Sequence, residues 1–442
     1  MSFESSDIST VFMKPQIGLE TTPGTAVAAL KTLQSIGIRP AIQAEVQKFA
    51  PMGHKFDTLA LLGKEWAQAG IDGFADYNEL TYLLASIISK VSPTGAGDAK
   101  TWTMGMNDSL PDEIGTYTLE YGSYLRAHRF TYGHLTSLGL AFTRDNVSVS
   151  GTMIGRQIED DLYLSTNQKY SLTADATPPT AGTFTLTVGA EETAGIAYDA
   201  SVGDVEDALE ALSTVGAGNV VVTAASGNTG AGDLTVGGNI YYVEFIKDLG
   251  QQAVIMTGDF TTSLTAASSI ALAEETAGAA PTSADQQPIL GNQVSVYLAD
   301  TYAGLAGASA LTRALSANFD ISDRFGQLWA LNRSNGSWAV PVEKKPQVQM
   351  KLKLEADDTG MDLLSYMRQG TKKFIRIECV GPLISGSDYY GFDIDMCGKV
   401  GEISDFSDED GIYAIEWTFN ANYDSTWTKA LELTLVNKLA SL

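Results

Sequence analysis

Three histidines, His54, His128 and His134, are this chain's side chains that ordinarily titrate near neutrality. Proton transfer or zinc binding needs such a residue beside a second histidine, a cysteine or a carboxylate at ligand spacing. His128 and His134 fall in one strand–turn–strand region, Tyr124 to Leu138, with no glutamate between them in a zinc-protease pattern and no cysteine near. They read as structural. Gly63-Lys64-Glu65 has the tail of a phosphate loop, but Thr58 stands where a glycine belongs and Glu65 where a hydroxyl belongs. Gly216-Ala217-Gly218 lacks the third glycine of a dinucleotide fingerprint, and Gly-x-Ser-x-Gly is absent. The run Asp405-Phe406-Ser407-Asp408-Glu409-Asp410-Gly411 is the best calcium candidate. Aligning Gly411 with the loop glycine puts Phe406 and Trp417 at the first and last ligand positions, so two oxygens are missing. A solvated hairpin tip is the better reading. Cys379 and Cys397 are too few for a disulfide framework or a four-thiolate site and read as buried small hydrophobes. Acidic residues are too plentiful for any carboxylate pair to stand out. The expectation is a chain without catalytic residues, metal or cofactor.

The elements around these residues are mostly strands. Ile36 to Phe49 and Glu65 to Ile71 flank a turn-rich loop, Pro51-Met52-Gly53-His54-Lys55-Phe56-Asp57, with an aromatic tip. Further strand-like runs are Tyr117–Tyr121, Arg129–Tyr132, Leu138–Arg144, Val147–Met153, Leu315–Ile321, Val348–Glu355, Phe374–Val380, Tyr389–Lys399 and Tyr413–Tyr423. Their spacing by turns predicts antiparallel sheets, and Asp410-Gly411 marks a hairpin. In Val348–Leu354 the alternation is clean, with Val348, Met350, Leu352 and Leu354 on one face. The clearest helix is predicted over Tyr77–Lys90. Asp76 stands at its N-cap, Glu79 at N3, and Leu80, Leu83, Leu84, Ile87 and Ile88 form an apolar stripe. A second short helix is expected over Met361–Gln369, and the first 30 residues read as a polar arm ordered against a partner.

Lys plus Arg number 28 and Asp plus Glu 53, a formal net charge of −25, so bulk attraction to a phosphate backbone is not expected. The start has no basic segment or apolar run, and no apolar stretch of membrane-spanning length occurs. The sequence predicts a soluble protein made in a reducing cytoplasm, without membrane insertion. Ser171–Gln287 differs in composition: it is rich in Ala, Gly, Thr and Val, and holds 15 acids against the single base Lys247. It reads as an inserted, acidic, β-rich α+β domain, with linkers at Pro178-Pro179 and Pro281–Pro288. A helix is expected near Val202–Leu212, capped by Ser201, and strands at Gly182–Val188, Asn219–Thr223, Tyr241–Ile246 and Ala253–Met256. Ala-Glu-Glu-Thr-Ala-Gly occurs at 190–195 and 273–278, which fits either a repeat or simple small-residue bias.

The order of several short pieces resembles one family. Thr22-Pro23-Gly24-Thr25-Ala26-Val27 leads to a strand ending Glu45-Val46-Gln47-Lys48-Phe49. Then come Pro51-Met52-Gly53-His54-Lys55, Gly63-Lys64-Glu65-Trp66, Gly70-Ile71-Asp72-Gly73 and Asp76-Tyr77-Asn78-Glu79-Leu80. Later pieces are Phe319-Asp320-Ile321-Ser322-Asp323-Arg324-Phe325, Leu328-Trp329-Ala330-Leu331-Asn332, Gly370-Thr371-Lys372-Lys373-Phe374, Asp408-Glu409-Asp410-Gly411-Ile412-Tyr413 and Leu435-Val436-Asn437. This series resembles the major tail tube proteins of long-tailed bacteriophages over roughly 1–170 and 288–442. The resemblance implies a mainly β fold, an antiparallel sandwich or barrel with one or two packed helices. It also implies six-subunit rings stacked into a tube that closes its inner sheet across subunits. The implied partners are further copies of the chain, a tape-measure protein in the lumen, and tail-terminator and tail-tip proteins. DNA would pass without specific binding, in a virion assembled in the host cytoplasm.

On that reading Pro51, Met52, Gly53, His54, Lys55, Phe56 and Asp57 form a ring-stacking loop, and 171–287 projects outward as decoration. A virion-mounted or surface adhesin that binds carbohydrate is the alternative. A tail-associated hydrolase is a third, weakened by the missing nucleophile motifs.

Overall fold

A computed structural model describes residues 13–123, 126–261, 264–265, 270–331, 336–409 and 411–442. The fold is mainly β with antiparallel pairing, as the sequence predicts. Its first half runs β1 (Lys14–Leu19), β2 (Ile36–Phe49), β3 (Leu59–Phe74), α1 (Leu80–Ile87), β4 (Lys100–Gly105), β5 (Tyr117–Gly122), β6 (Ala127–Phe142) and β7 (Val147–Gly155). Next come β8 (Lys169–Ala174), β9 (Thr183–Val188), α2 (Val202–Glu210), β10 (Val220–Ala224), β11 (Ile240–Phe245), β12 (Met256–Asp259) and β13 (Ile270–Thr276). The rest contains β14 (Val294–Ala299), β15 (Ala314–Ser322), β16 (Phe325–Leu328), β17 (Val340–Glu343), β18 (Gln347–Glu355) and α3 (Asp358–Gln369). It ends with β19 (Lys372–Ser385), β20 (Asp388–Ile403), β21 (Ser407–Glu409), β22 (Ile412–Ala421) and β23 (Leu431–Asn437).

One sheet runs in the order β2, β3, β7, β6, β15, β18, β22 and β20. β20 belongs to two layers. Gly398–Ile403 pairs with β22, whereas Gly391–Met396 pairs with β23, which pairs with β4. A register shift between Val400 and Glu402 accompanies the change of partner, the usual way a strand bends between layers. On its other edge β20 pairs with β19, and β19 with β14. Side chains from both layers meet in one core that includes Trp102, Phe319, Leu352, Phe392 and Trp417. The alternation expected in β18 is present, with Val348, Met350, Leu352 and Leu354 buried. The predicted runs Arg129–Tyr132 and Leu138–Arg144 are one bent strand, β6, in which Tyr132 takes φ +59°.

α1 is shorter than the predicted Tyr77–Lys90 and buried on every side, so its apolar stripe understated its environment. Asp76 does cap the turn before it, accepting from the Asn78 and Glu79 amides at 2.8 and 3.2 Å. Glu79 does not complete a capping box. Its carboxylate accepts from the amides of Gln34, Ser35 and Ile36 at 2.6, 3.0 and 3.0 Å, joining the start of β2 to the helix. The arm expected over the first 30 residues is corrected from Lys14 onward. β1 pairs with β5 along its whole length, and Gln16 and Ile17 are buried. Residues 1–12, Tyr124, Asn332 and Asp410 lie outside the described residues.

A second apolar core is drawn from Tyr170 to Ile270 and includes Leu172, Phe184, Val205, Leu209, Tyr241 and Phe245. β10, β11, β8 and β13 form one sheet there, and β9 pairs with β12. Ser201 caps α2 in a capping box with Asp204. Two sequence boundaries change. Pro178-Pro179 lies between β8 and β9, inside this unit, because β8 pairs with β11 and β13. The predicted linker Pro281–Pro288 is packed, not free: the Tyr77 amide donates to the Gln287 carbonyl at 3.0 Å, and Asn78 Nδ2 to the Asp285 carbonyl at 2.8 Å. The strand expected at Ala253–Met256 begins at Met256.

The unit leaves and re-enters the main chain at adjacent points. Lys169 is opposite Thr276, and Gln168 Nε2 donates to the Thr276 carbonyl at 2.9 Å. Replacing 169–276 by a two-glycine joint should therefore leave a folded remainder. Circular dichroism and a single cooperative melt check this; loss of folding would contradict the inserted-unit reading.

Candidate functional site

β2 and β3 are longer than the sheet that holds them. β3 pairs with β7 over Ala67–Phe74, and the Glu65 amide donates to the Gly336 carbonyl at 3.1 Å. From Lys64 outward, β2 and β3 pair with each other, register Glu45 opposite Lys64 through Phe49 opposite Leu59. The loop closes with Thr58 N–H donating to the Phe49 carbonyl at 3.0 Å. Gly53 takes φ +83° at its turn, the conformation glycine adopts without a Cβ penalty. Pro51, Met52, Gly53, His54, Lys55, Phe56 and Asp57 all sit here, exposed at the far end of this two-stranded ribbon.

The ribbon has two unlike faces. Strand alternation places Ile42, Ala44, Val46 and Lys48 on one face. Their cross-strand partners are Ala67, Glu65, Leu62 and Ala60. Ile42, Val46 and Leu62 are 57%, 47% and 59% exposed. The other face carries Gln43, Glu45 and Gln47, with a Lys64–Glu45 ion pair at 3.1 Å, and toward the tip the exposed Phe49, Leu59 and Leu61. A bulge decides which leucine joins Val46. The register shifts between Glu45 and Val46, so Gly63 is the extra residue and Leu62 comes beside Val46. A Cβ on Gly63 would meet the Glu45 carbonyl oxygen at 3.2 Å.

The base of the ribbon is braced by the β16–β17 hairpin. Trp329 meets Trp66 edge-on, with centroids 5.6 Å apart, and Lys64 lies over the Trp329 ring. Trp338 is fully buried and donates from Nε1 to the Gly155 carbonyl at 2.9 Å. Arg156 stacks on Tyr132, its guanidinium carbon 4.7 Å from the ring centre, and donates from Nη2 to the Ala339 carbonyl at 2.7 Å. Arg324 holds the hairpin to the body. Its buried guanidinium bonds Asp112 at 2.5 Å, Glu343, and the Ile87 carbonyl at the end of α1 at 3.2 Å. Neither Trp338 nor Arg324 shows its structural role in local sequence pattern; an arginine next to apolar Phe325 is the available signal.

The structure does not assemble the chemistry-bearing residues into a reaction centre. His54 is in the ribbon loop, and His128 is exposed on β6. His134 is buried against Tyr132, Phe325 and Trp338. Its Nδ1 bonds the Tyr132 carbonyl at 3.0 Å, and burial holds its pKa down to about 4. Gly63-Lys64-Glu65 lies within strand β3 and cradles nothing. Cys379 faces the main core; Cys397 packs with Leu305 and Phe374, and burial pushes its thiol up to about 11. Glu409 bonds Lys353, and Asp408 accepts from the Gly411 amide at 3.1 Å, so this run forms a hairpin turn. Among the described residues no group of three or more His, Cys, Asp or Glu could hold a metal ion. Asp393 is pushed up to about 7 by burial, opposed by Arg376 and reinforced by Glu378 and Asp395. Arg376 itself makes a two-pronged bond to Asp395 at 2.6 and 2.7 Å. No helix among the described residues is long and apolar enough to cross a membrane. No protein-family model matches the chain, and no curated protein does.

Arg324→Ala should lower unfolding free energy by about 3–5 kcal/mol, because two carboxylates lose their buried counter-charge. Arg324→Lys should restore little, since an ammonium cannot span three separate acceptors; denaturant titration reads both. His134 gives a pH test. Its unfolded form binds a proton below about 6.5 and its folded form near 4, so stability should rise with pH across that window. Relative to wild type, His134→Leu should flatten the slope there by up to about 1.4 kcal/mol per pH unit.

Proposed function

We propose that this chain is a structural subunit that assembles with itself into stacked rings, forming the tail tube through which a long-tailed phage delivers its genome. The observation that carries this reading is the ribbon of β2 and β3, with apolar side chains uncovered on both faces. A two-stranded ribbon is marginal in water by itself, and an uncovered apolar face marks a contact surface. β2 also pairs with β3 alone among the described residues, leaving a sheet edge whose outer part, Arg39 to Phe49, a neighbour can cover. The ordered sequence pieces give the same reading. The rings would be hexamers around a tape-measure protein, closed at the tube ends by tail-terminator and tail-tip proteins, with DNA in transit unbound. The acidic unit of 171–287 would project outward, because so large an insert does not fit a narrow lumen.

Electron microscopy of purified protein tests the reading. Stacked rings of uniform diameter, with a lumen wide enough for duplex DNA, are expected. Monomers that bind cells or polysaccharide would sink it in favour of an adhesin. A shortened ribbon tests its key part: 46–63 replaced by Asn-Gly, joining the paired residues Glu45 and Lys64 by a two-residue turn. This variant should remain folded, with a melting temperature within a few degrees of wild type, and form no tubes. Tubes of normal length would show that the ribbon is not the stacking element.

A further inference from the structure

We infer that the ribbon face of Ile42, Val46 and Leu62 docks on the opposite end of a second copy of this chain, on the hairpin of β21 and β22. This rests on the self-assembly reading above and adds the receiving surface. Strand registers fix the direction. Ala67 is opposite Gly155, and Ile154 opposite His134, so the ribbon leaves the sheet at the end marked by His134. Phe142, at the other end of β6, is opposite Ala317; Ala317 is opposite Leu352, and Leu352 opposite Trp417. From Trp417, β22 continues away from the ribbon to Ile412. The two projections therefore point out of opposite ends of one sheet and cannot meet within a subunit.

The β21–β22 hairpin is as uncovered as the ribbon. Phe406 and Tyr413 are 60% and 77% exposed, their rings 6.3 Å apart and near perpendicular, with Ile412 exposed beside them. Asp405 and Asp408 give this end negative charge, whereas Glu409 is paired with Lys353 and Arg144. The far ribbon carries Lys48 and Lys55 against Asp57. Apolar surface thus faces apolar surface, and the charges at the margins are opposite in sign. A contact between unlike patches on two copies is head-to-tail and leaves a free patch at each end, so it propagates. β3 and β22 are also separated by β7, β6, β15 and β18, a lateral offset of about 24 Å at ~4.8 Å per strand. Each copy therefore engages a neighbour displaced sideways as well as along the strands.

Two full-length variants test the pairing. Ile42→Ser with Val46→Ser disables the ribbon, and Phe406→Ser with Tyr413→Ser disables the receiver. Alone, neither should elongate in sedimentation velocity or electron microscopy. Mixed in equal amounts, they should join once and stop, because each supplies one working end. Elongation of the receiver variant to wild-type length would overturn the pairing, as would a mixture that fails to join while wild type elongates. Failure of wild type itself to assemble would instead remove the self-assembly reading beneath it. Cross-linking covers the case in which a serine pair unfolds the chain. Val46→Cys and Tyr413→Cys chains, mixed and treated with a short bis-maleimide, should give a cross-linked dimer; the native cysteines are buried. Assembly without that dimer would also overturn the pairing.

Discussion

The buried guanidinium of Arg324 is the constraint on which the projecting part of the molecule depends. It reaches Asp112 in a loop, Glu343 at the end of β17, and the Ile87 carbonyl at the end of α1. Three distant pieces of chain are thereby held in one place. Desolvating such a cluster offsets much of its Coulombic attraction, so its main contribution is position rather than net stability. The positioned element is the β16–β17 hairpin, which seats Trp338 beneath Arg156 and sets Trp329 against Trp66. The ribbon then leaves the sheet from a fixed base, although among the described residues no third strand pairs with it beyond Glu65.

The body and its projections differ in how apolar surface is handled. In the body, two layers share β20 and close over Trp102, Phe319, Phe392 and Trp417. In the ribbon, Ile42, Val46 and Leu62 have no such cover. Charge is uneven too. The unit at 171–287 carries 15 acids and one base, so most of the chain's acidity belongs to that unit. The remaining body is only mildly acidic, and its total charge says little about any channel.

Local pattern made much of the fold readable. β2 matches its expected span, Ile36 to Phe49, and the faces of β18 follow simple alternation. Ser201 caps α2 as its spacing suggested. The readings that changed most depended on remote partners. Glu79 looked like a capping-box residue because three-residue spacing is visible in sequence; the amides of Gln34, Ser35 and Ile36 that claim it are more than 40 positions away. β1 looked like a polar arm because its burial comes from β5, about 100 residues later. Pro178-Pro179 looked like a boundary because proline pairs punctuate chains, yet β8 lies before it and pairs with strands beyond it. The loop of Pro51 to Asp57 was visible as a loop; the bulge behind it, which decides the faces of Leu61 and Leu62, was not.

That bulge makes the identity of a surface a matter of counting. Every residue in β3 on the tip side of Gly63 owes its side to that single additional residue. Without the bulge Gly63 would stand opposite Val46, and Leu61, not Leu62, would share its face. The lettering of the chain could stay nearly the same while the message presented to a neighbour changed. The face that each leucine presents is stored there in parity, as an odd or even number of residues between the sheet and the tip.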